Sequence, residues 1–492
     1  MIGLKPRKTV KRGGAESSLL WVDDFWKQAG TYIFCREDDG VLILPPNRVY
    51  KVNKTGAALI AFLKNGGKAA ELTAEFADEA DAAGKKSRLA LIENFFRTLA
   101  GMYGGDDSAG SGENPDLPGL SGNVKQVPFD FNYTRLPVLG EIAVTYRCNN
   151  RCLFCYAGCN AGNGPAEPEK RAAGNTGPAG ELSTVEWKRI ITIFRDEAKI
   201  PFFSFTGGEP LLRADLEKLI RHARDIGLVV NLVSNGTLAD RRRAASLYRA
   251  GLRTAQISVE APDAENHDAL AGRSGAFAET LRGIAALAGA GVSVQTNTTI
   301  TRKNMALAPE MPDFLVSLRD RKGRRIISRF AMNMYIPGTG PGLREDLFVG
   351  YDKIGPVVDE VRRRAFLAGL GFYWYSPTPF CYYNPIARGM GNKSCAAADG
   401  LVSVAADGGV LPCSSWDEPL GNILAENFGD IWFSRQALFL KYKNAAPVSC
   451  RACSSFTACQ GACPLYWRAC GTELLEEGVR NAAPGNGGSA NT

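Results

Sequence analysis

Val144 to Tyr156 reads VTYRCNNRCLFCY, and this stretch decides the fold. An apolar run, Ile142–Tyr146, ends in three cysteines, Cys148, Cys152 and Cys155, spaced C-x3-C-x2-C. Three thiolates this close can hold three corners of a [4Fe–4S] cube, and no fourth ligand at matching spacing is obvious. A cube with one unprotected iron can bind a small molecule at that corner, whereas a structural site is closed. Cys159 offers the alternative: with it the array becomes a zinc knuckle, although structural zinc favours paired CxxC or CxxH arms.

Beyond this stretch, strands and helices alternate to about residue 364. Further strands are predicted at Phe202–Thr206, Leu228–Ser234, Thr254–Glu260, Val292–Ile300 and Ile327–Met334. Between them lie amphipathic helices, one carrying the stripe Leu216, Leu219, Ile220, Ala223 and Ile226. Repeated βα units imply a parallel sheet, and six of them suit a partial TIM-type (β/α)6 barrel. In such barrels the chemistry gathers at the C-terminal strand ends. The fold class is therefore α/β. A basic N-terminal extension spans 1–29, a small winged-helix-like α+β module 30–103, and a flexible linker 104–127. The barrel spans 128–370, a cysteine-rich domain 371–475, and a disordered tail 476–492. Within the first module Thr31–Cys35 and Val41–Leu44 read as a hairpin across a DDG turn, and Ile92, Phe95, Phe96 and Leu99 share one helix face. Ala157–Glu181, rich in Gly, Ala and Pro, reads as a mobile loop over the site.

The bulk numbers narrow the classes. No apolar run among the 492 residues is long enough to span a bilayer, and no hydrophobic core follows the positive N-terminus. A cytoplasmic protein is expected. The net charge of +7 comes without a basic stripe interleaved with aromatics, so nucleic acid is not an expected partner. Thirteen cysteines, eight of them from Cys381 to Cys470, favour metal ligation over disulfides in a chain without an export signal. His222 and His267 are the only imidazoles, so a metal here is held mainly by sulfur, which means iron–sulfur clusters or zinc.

CNNRCLFC resembles the CxxxCxΦC signature of the radical S-adenosylmethionine (AdoMet) superfamily, with Phe154 at the aromatic position beside the adenine. The resemblance implies that AdoMet chelates the open iron through its amino and carboxylate groups. An electron from the cluster, supplied by a donor such as flavodoxin or ferredoxin, then cleaves the sulfonium C–S bond to methionine and a 5′-deoxyadenosyl radical. Thr206, Gly207, Gly208 and Glu209 in FTGGEP resemble the family's GGE motif, where Glu209 and backbone hold the AdoMet amino group. Ser234 and Asn235 resemble the ribose strand, and Ser258 and Glu260 the next, where the family commonly has Asp for Glu260. Asn297 and Thr298 are expected at the methionine part, and Tyr335 to Gly338 (YIPG) at the adenine.

Cys395, Gly408 and Cys413 form C-x12-G-x4-C; Cys450, Cys453, Cys459 and Cys463 form C-x2-C-x5-C-x3-C, and Cys470 follows. This resembles the SPASM extension that carries two auxiliary [4Fe–4S] clusters. The resemblance implies one cluster on Cys381, Cys395, Cys413 and Cys463, and another on Cys450, Cys453, Cys459 and Cys470, for electron transfer or for stability. Two four-cysteine zinc sites are the alternative.

VYKVNKTGAALIAFLKNG, with its N-x-T-G passage, resembles the PqqD-like recognition element fused to peptide-modifying members. Such an element binds a leader peptide by strand addition; a DNA-binding winged helix would need a basic recognition helix. Cys35 reads as a buried apolar residue rather than a ligand. Together these resemblances imply a maturase of a ribosomally made precursor peptide. A maturase acting on a protein, as anaerobic sulfatase maturases do, would carry Asp just after Cys413, where Ser414 stands. A haem-biosynthesis enzyme would not need the N-terminal module. A cluster-bearing electron carrier or peptide-binding scaffold is the non-enzymatic reading. No catalytic acid or base is assigned.

Overall fold

The computed structural model describes residues 19–44, 48–72, 74, 82–104, 124–125, 133–159, 181–338, 344–391, 394–473 and 475. The predicted tail, most of the predicted linker and most of the predicted mobile loop lie outside the described residues. The chain divides into two compact units, Met1–Val138 and Leu139–Thr492.

The first unit holds an antiparallel sheet in the order β1 (Phe34–Arg36), β2 (Val41–Leu44), β3 (Arg48–Val52) and β4 (Val124–Lys125). The predicted hairpin is present, with Phe34 opposite Ile43 and Gly40 turning at φ 59°. Asn53 of the N-x-T-G passage caps the helix Lys54–Lys64, accepting from Gly56 N at 2.8 Å. Two boundaries move. The helix Leu20–Ala29 lies within the segment read as a basic extension, yet its Val22, Phe25 and Ala29 are packed in the same core as Leu42, Leu59, Ile60, Phe96 and Leu99. Positive charge drew attention from an amphipathic LWVDDFWKQA. Val124 and Lys125, within the segment read as linker, pair with β3.

The second unit is built on one ten-stranded sheet, ordered β11-β10-β9-β8-β7-β6-β5-β12-β13-β14. Its centre is the predicted run of six parallel strands. These are β5 (Leu139–Thr145), β6 (Phe202–Gly207), β7 (Val229–Ser234), β8 (Thr254–Ser258), β9 (Ser293–Ile300) and β10 (Arg329–Met334). The sheet continues further than a six-strand barrel on both sides. β11 (Gly371–Trp374) adds parallel to β10, and β12 (Leu401–Val404) of the cysteine-rich region adds parallel to β5. β13 (Gly409–Leu411) and β14 (Gly421–Asn422) complete that edge antiparallel. Barrel and cysteine-rich region therefore share one sheet. Residues 428–470 are more helical than a metal-organised coil, since Ser434 caps Arg435–Lys441 and Pro464 opens Pro464–Cys470.

Period-two alternation sorts the strands' two faces. Phe203 and Phe205 pack outward with Phe194 of the helix Thr184–Asp196. Leu216, Leu219, Ile220 and Ala223 of the predicted stripe are fully buried on the helix Leu216–Asp225. The opposite strand face is polar. There Asn231 Nδ2 donates to Ser204 Oγ at 3.2 Å, Gln295 Nε2 to Gln256 Oε1 at 3.0 Å, and Asn297 Nδ2 to Asn333 Oδ1 at 2.7 Å. A closed TIM barrel fills this space with branched apolar side chains; a half-buried amide layer instead suits a polar guest.

Candidate metal centre and nucleotide site

The loop after β5 carries Cys148, Cys152 and Cys155, and the protein straps it down at three points. Asn149 Oδ1 accepts from Asn235 Nδ2 at 2.9 Å, and its Nδ2 donates to Thr237 Oγ1 at 2.8 Å, tying the loop to the end of β7. Asn150, buried, accepts from Arg273 Nε at 2.8 Å. Arg151 N and Leu153 N donate to Ala271 O and Leu270 O, both at 2.9 Å, at the end of the helix Ala264–Ala271. Gly272, left-handed at φ 63°, allows this, since a Cβ there would meet Arg151 O at 2.2 Å.

The three thiols lie within electrostatic reach of one another. Burial pushes Cys148 up to about 11. Cys155 is drawn down to about 6, foremost by a hydrogen bond with Cys159. The structure therefore does bring Cys159 beside the array, at its Cys155 end. Among the described residues no three Cys, His, Asp or Glu side chains converge closely enough to hold a single ion. Three thiols on one loop, each within electrostatic reach of the others, are the donor set of a [4Fe–4S] cube with one iron left open.

The GGE passage packs against the cysteine loop. Gly207 and Gly208 bring the end of β6 against the backbone that leads into the cysteines. Gly208 N donates to Thr145 O and Glu209 N to Arg147 O, both at 2.8 Å. A Cβ on Gly208 would meet Arg147 O at 2.2 Å. Glu209, fully buried, accepts from Leu211 N at 3.0 Å, Ser234 Oγ at 2.8 Å and Asn235 N at 2.9 Å. Its carboxylate is thus committed to the ends of β6 and β7, and Ser234 and Asn235 are committed with it. These three residues thereby hold the ends of β6 and β7 together at the place where the AdoMet contacts are expected. Burial raises the Glu209 carboxyl above its ordinary range, against three donors that lower it.

Other expected residues stand where strand ends place them. Thr206 is buried and shares a 3.3 Å hydrogen bond with Tyr156, the residue after Cys155. Phe154 and Ser258 are half-buried. Asn297 keeps a buried Oδ1 without a partner. Thr298 is spent on Val259 O at 2.7 Å. Tyr335 is buried, with its backbone N on Ile300 O at 2.8 Å. Glu260, pushed up to about 8 by burial, accepts from Thr299 N at 2.8 Å and acts electrostatically on Cys152. His267 serves structure, accepting from Glu260 N at 3.2 Å.

Sequence reasoning missed Glu141. It is on the polar face of β5, accepts from Ser403 Oγ of β12 at 3.0 Å, and is hydrogen-bonded to Ser414. Half-buried, it acts electrostatically on both Tyr156 and Cys413. Strand phase was the available signal: Glu141 shares a face with Ala143 and Thr145 in an otherwise apolar run.

In the C-terminal region, Lys443 is buried and donates to Cys395 O at 2.7 Å and Asp399 Oδ2 at 3.0 Å, fixing Cys395. Gln460, Gly461 and Ala462 are all left-handed, with φ 59°, 74° and 63°. This strained turn, costing roughly 1–2 kcal/mol for each non-glycine residue, points Cys459 and Cys463 to different neighbours. Trp467 Nε1 locks it by donating to Gly461 O at 2.6 Å. Cys463 is under the electrostatic influence of Cys395 and Cys413, and Cys450 under that of Cys459, Cys381 and Cys453. Cys35 is half-buried in the first unit, its thiol pushed up to about 12 by burial.

Comparison with known proteins decides the family of these domains. Residues 142–305 match the radical SAM superfamily, and residues 395–454 match the SPASM iron–sulfur cluster-binding domain. The chain therefore carries a radical SAM domain and a SPASM domain, and with them radical SAM enzyme activity of oxidoreductase type. An AdoMet-dependent heme synthase of Nitratidesulfovibrio vulgaris is 28% identical over 357 residues, covering 69% of this chain and 91% of that protein. A PqqA peptide cyclase of Granulibacter bethesdensis is 27% identical over 342 residues, 66% of this chain and 82% of the cyclase. Among solved structures, Streptococcus suis SuiB bound to precursor peptide SuiA superposes with a TM-score of 0.61 at 17% identity. That match covers 88% of this chain and 95% of SuiB, and it is a likeness of fold. The radical SAM domain carries the three-cysteine loop described above.

Proposed function

We propose that this radical SAM/SPASM enzyme modifies a ribosomally made precursor peptide. The first unit holds the leader, and a core residue is presented to the polar face of the barrel. AdoMet bound at the Cys148, Cys152 and Cys155 cluster would supply the hydrogen-abstracting radical. The chain's own residues do the rest. The Asn149, Asn150 and Gly272 straps fix the loop, and the Glu209 clamp holds the strand ends rigid. The amide layer of Asn231, Gln256, Gln295 and Asn297 offers hydrogen bonds to a peptide backbone. Auxiliary clusters carry an electron away, a flavodoxin- or ferredoxin-type donor starts the cycle, and the setting is the cytoplasm.

The observation that carries this reading is the first unit itself: an antiparallel sheet with β1 at its edge, in a chain that also carries the radical SAM and SPASM domains. Among the described residues no helix is long and apolar enough to cross a membrane. The similarity to heme synthases supports a second reading, a haem-forming activity, which gives the first unit no task.

The test is direct. Anaerobic, reduced enzyme is incubated with AdoMet and with short peptides encoded beside its gene, or with a haem precursor. An AdoMet-dependent mass change in a peptide, lost when its leader is removed, is expected. Turnover of the haem precursor with no change in any peptide would reject the proposal.

A further inference from the structure

Gln460 is 2% exposed, and among the described residues neither its Nε2 nor its Oε1 has a hydrogen-bond partner. A polar group buried in this way costs about 1–3 kcal/mol, and it calls for a partner that the protein's own atoms do not supply. The turn that carries the side chain is fixed. Gln460, Gly461 and Ala462 are left-handed in succession, and Trp467 Nε1 holds Gly461 O at 2.6 Å. Non-glycine residues keep such a backbone only where their surroundings over-determine it. Gln460 lines a cavity of about 10 Å³ together with Cys395, Lys443, Leu440, Ala446 and Pro464. Apart from Cys395 and Lys443, the side chains around Gln460 there are apolar. Lys443 Nζ donates to Cys395 O at 2.7 Å and to Asp399 Oδ2 at 3.0 Å, and an ammonium accepts nothing. A single water, which wants about 3 polar partners, is poorly served by such a lining. The side-chain acceptor left on this cavity is the sulfur of Cys395, which opens the segment matched as an iron–sulfur cluster-binding domain.

We propose that the Gln460 amide donates a hydrogen bond to the sulfurs of the auxiliary cluster that Cys395 helps to hold, and so raises that cluster's reduction potential. The proposal rests on the reading that this domain binds [4Fe–4S] clusters that carry an electron away. Reduction adds one electron to the cluster, and part of its negative charge falls on the sulfurs. An N–H aimed at them stabilises the reduced form more than the oxidised one, and hydrogen bonds to sulfur are among the levers that set such potentials. Gln460 touches neither substrate nor iron; it acts through the cluster as a positioning residue.

The test uses the full chain with Cys148, Cys152 and Cys155 replaced by alanine, so that the remaining iron signals are auxiliary. Redox titration followed by electron paramagnetic resonance compares Gln460 with Gln460→Leu, which has similar bulk and no donor. In Gln460→Leu one auxiliary signal should show about a tenfold lower reduced-to-oxidised ratio at a fixed poise, equal to about 59 mV for a one-electron couple, at unchanged iron content. An unmoved midpoint at unchanged iron overturns the proposal. An equal shift of both auxiliary signals also overturns it, because a structural disturbance of the turn beside Cys459 would give that. Should Gln460→Leu lose its iron, the same background with ¹⁵N in the glutamine side-chain amides is reduced and examined by pulsed electron paramagnetic resonance. A ¹⁵N coupling to an auxiliary cluster is expected there, and its absence overturns the proposal. No iron at all in the background variant, in a chain that is still folded, would instead sink the underlying cluster reading.

Discussion

Asn235 donates its side-chain amide to Asn149 Oδ1 at 2.9 Å, joining the end of β7 to the cysteine loop across 86 residues of sequence. The same Asn235 gives its backbone N–H to Glu209. One residue thus couples the cluster loop to the buried clamp at the strand ends, and the cluster's position is set by residues that bind no iron.

Replacing Asn149 by alanine removes two hydrogen bonds and leaves the Asn235 amide unpaired. At about 1 kcal/mol for each lost bond, the loop should lose about 2 kcal/mol of order. The expected outcome is a several-fold drop in iron retained at the first cluster and in uncoupled 5′-deoxyadenosine release, with the auxiliary signals unchanged. Iron analysis beside electron paramagnetic resonance checks this; equal loss from all clusters would point to general unfolding instead.

Gly208→Ala should be more severe, because the new Cβ meets backbone at 2.2 Å, which no rotamer change relieves. Overpacking costs about 1–3 kcal/mol even against movable side chains. A lower thermal midpoint together with loss of the first cluster is predicted, while Gly429→Ala, which meets nothing within 4 Å, should leave both intact.

His267 gives a pH signature. Burial lowers its pKa from the ordinary 6.5 to about 4, so the fold holds the imidazole neutral. A base depressed in this way contributes its full stability above 6.5 and loses it as the pH falls towards 4; a shift of this size corresponds to about 3 kcal/mol. The thermal midpoint of wild type should therefore fall faster between pH 6.5 and 4 than that of His267→Gln. Acid loss of clusters is common to both proteins and drops out of the difference; parallel curves would show that His267 is not the group responsible.

Much of this was legible in the residues. The six barrel strands were placed from alternation, and the three-cysteine loop from spacing alone, because both signals are local. What escaped was decided by distant parts of the chain. Glu209, Ser234 and Asn235 were read as nucleotide contacts, and only folding shows them bonded to one another. The helix Leu20–Ala29 was hidden by the basic residues before it, since burial against β2 and the later helices cannot be seen from its own sequence.

The central claim is that Cys148, Cys152 and Cys155 alone hold the cube that activates AdoMet, although Cys159 stands next to Cys155. Quantifying 5′-deoxyadenosine from reduced enzyme and AdoMet in wild type, Cys159→Ala and Cys148/Cys152/Cys155→Ala tests it most directly. Release from the first two and none from the third is predicted. Release that persists in the triple variant, or vanishes in Cys159→Ala, would contradict it.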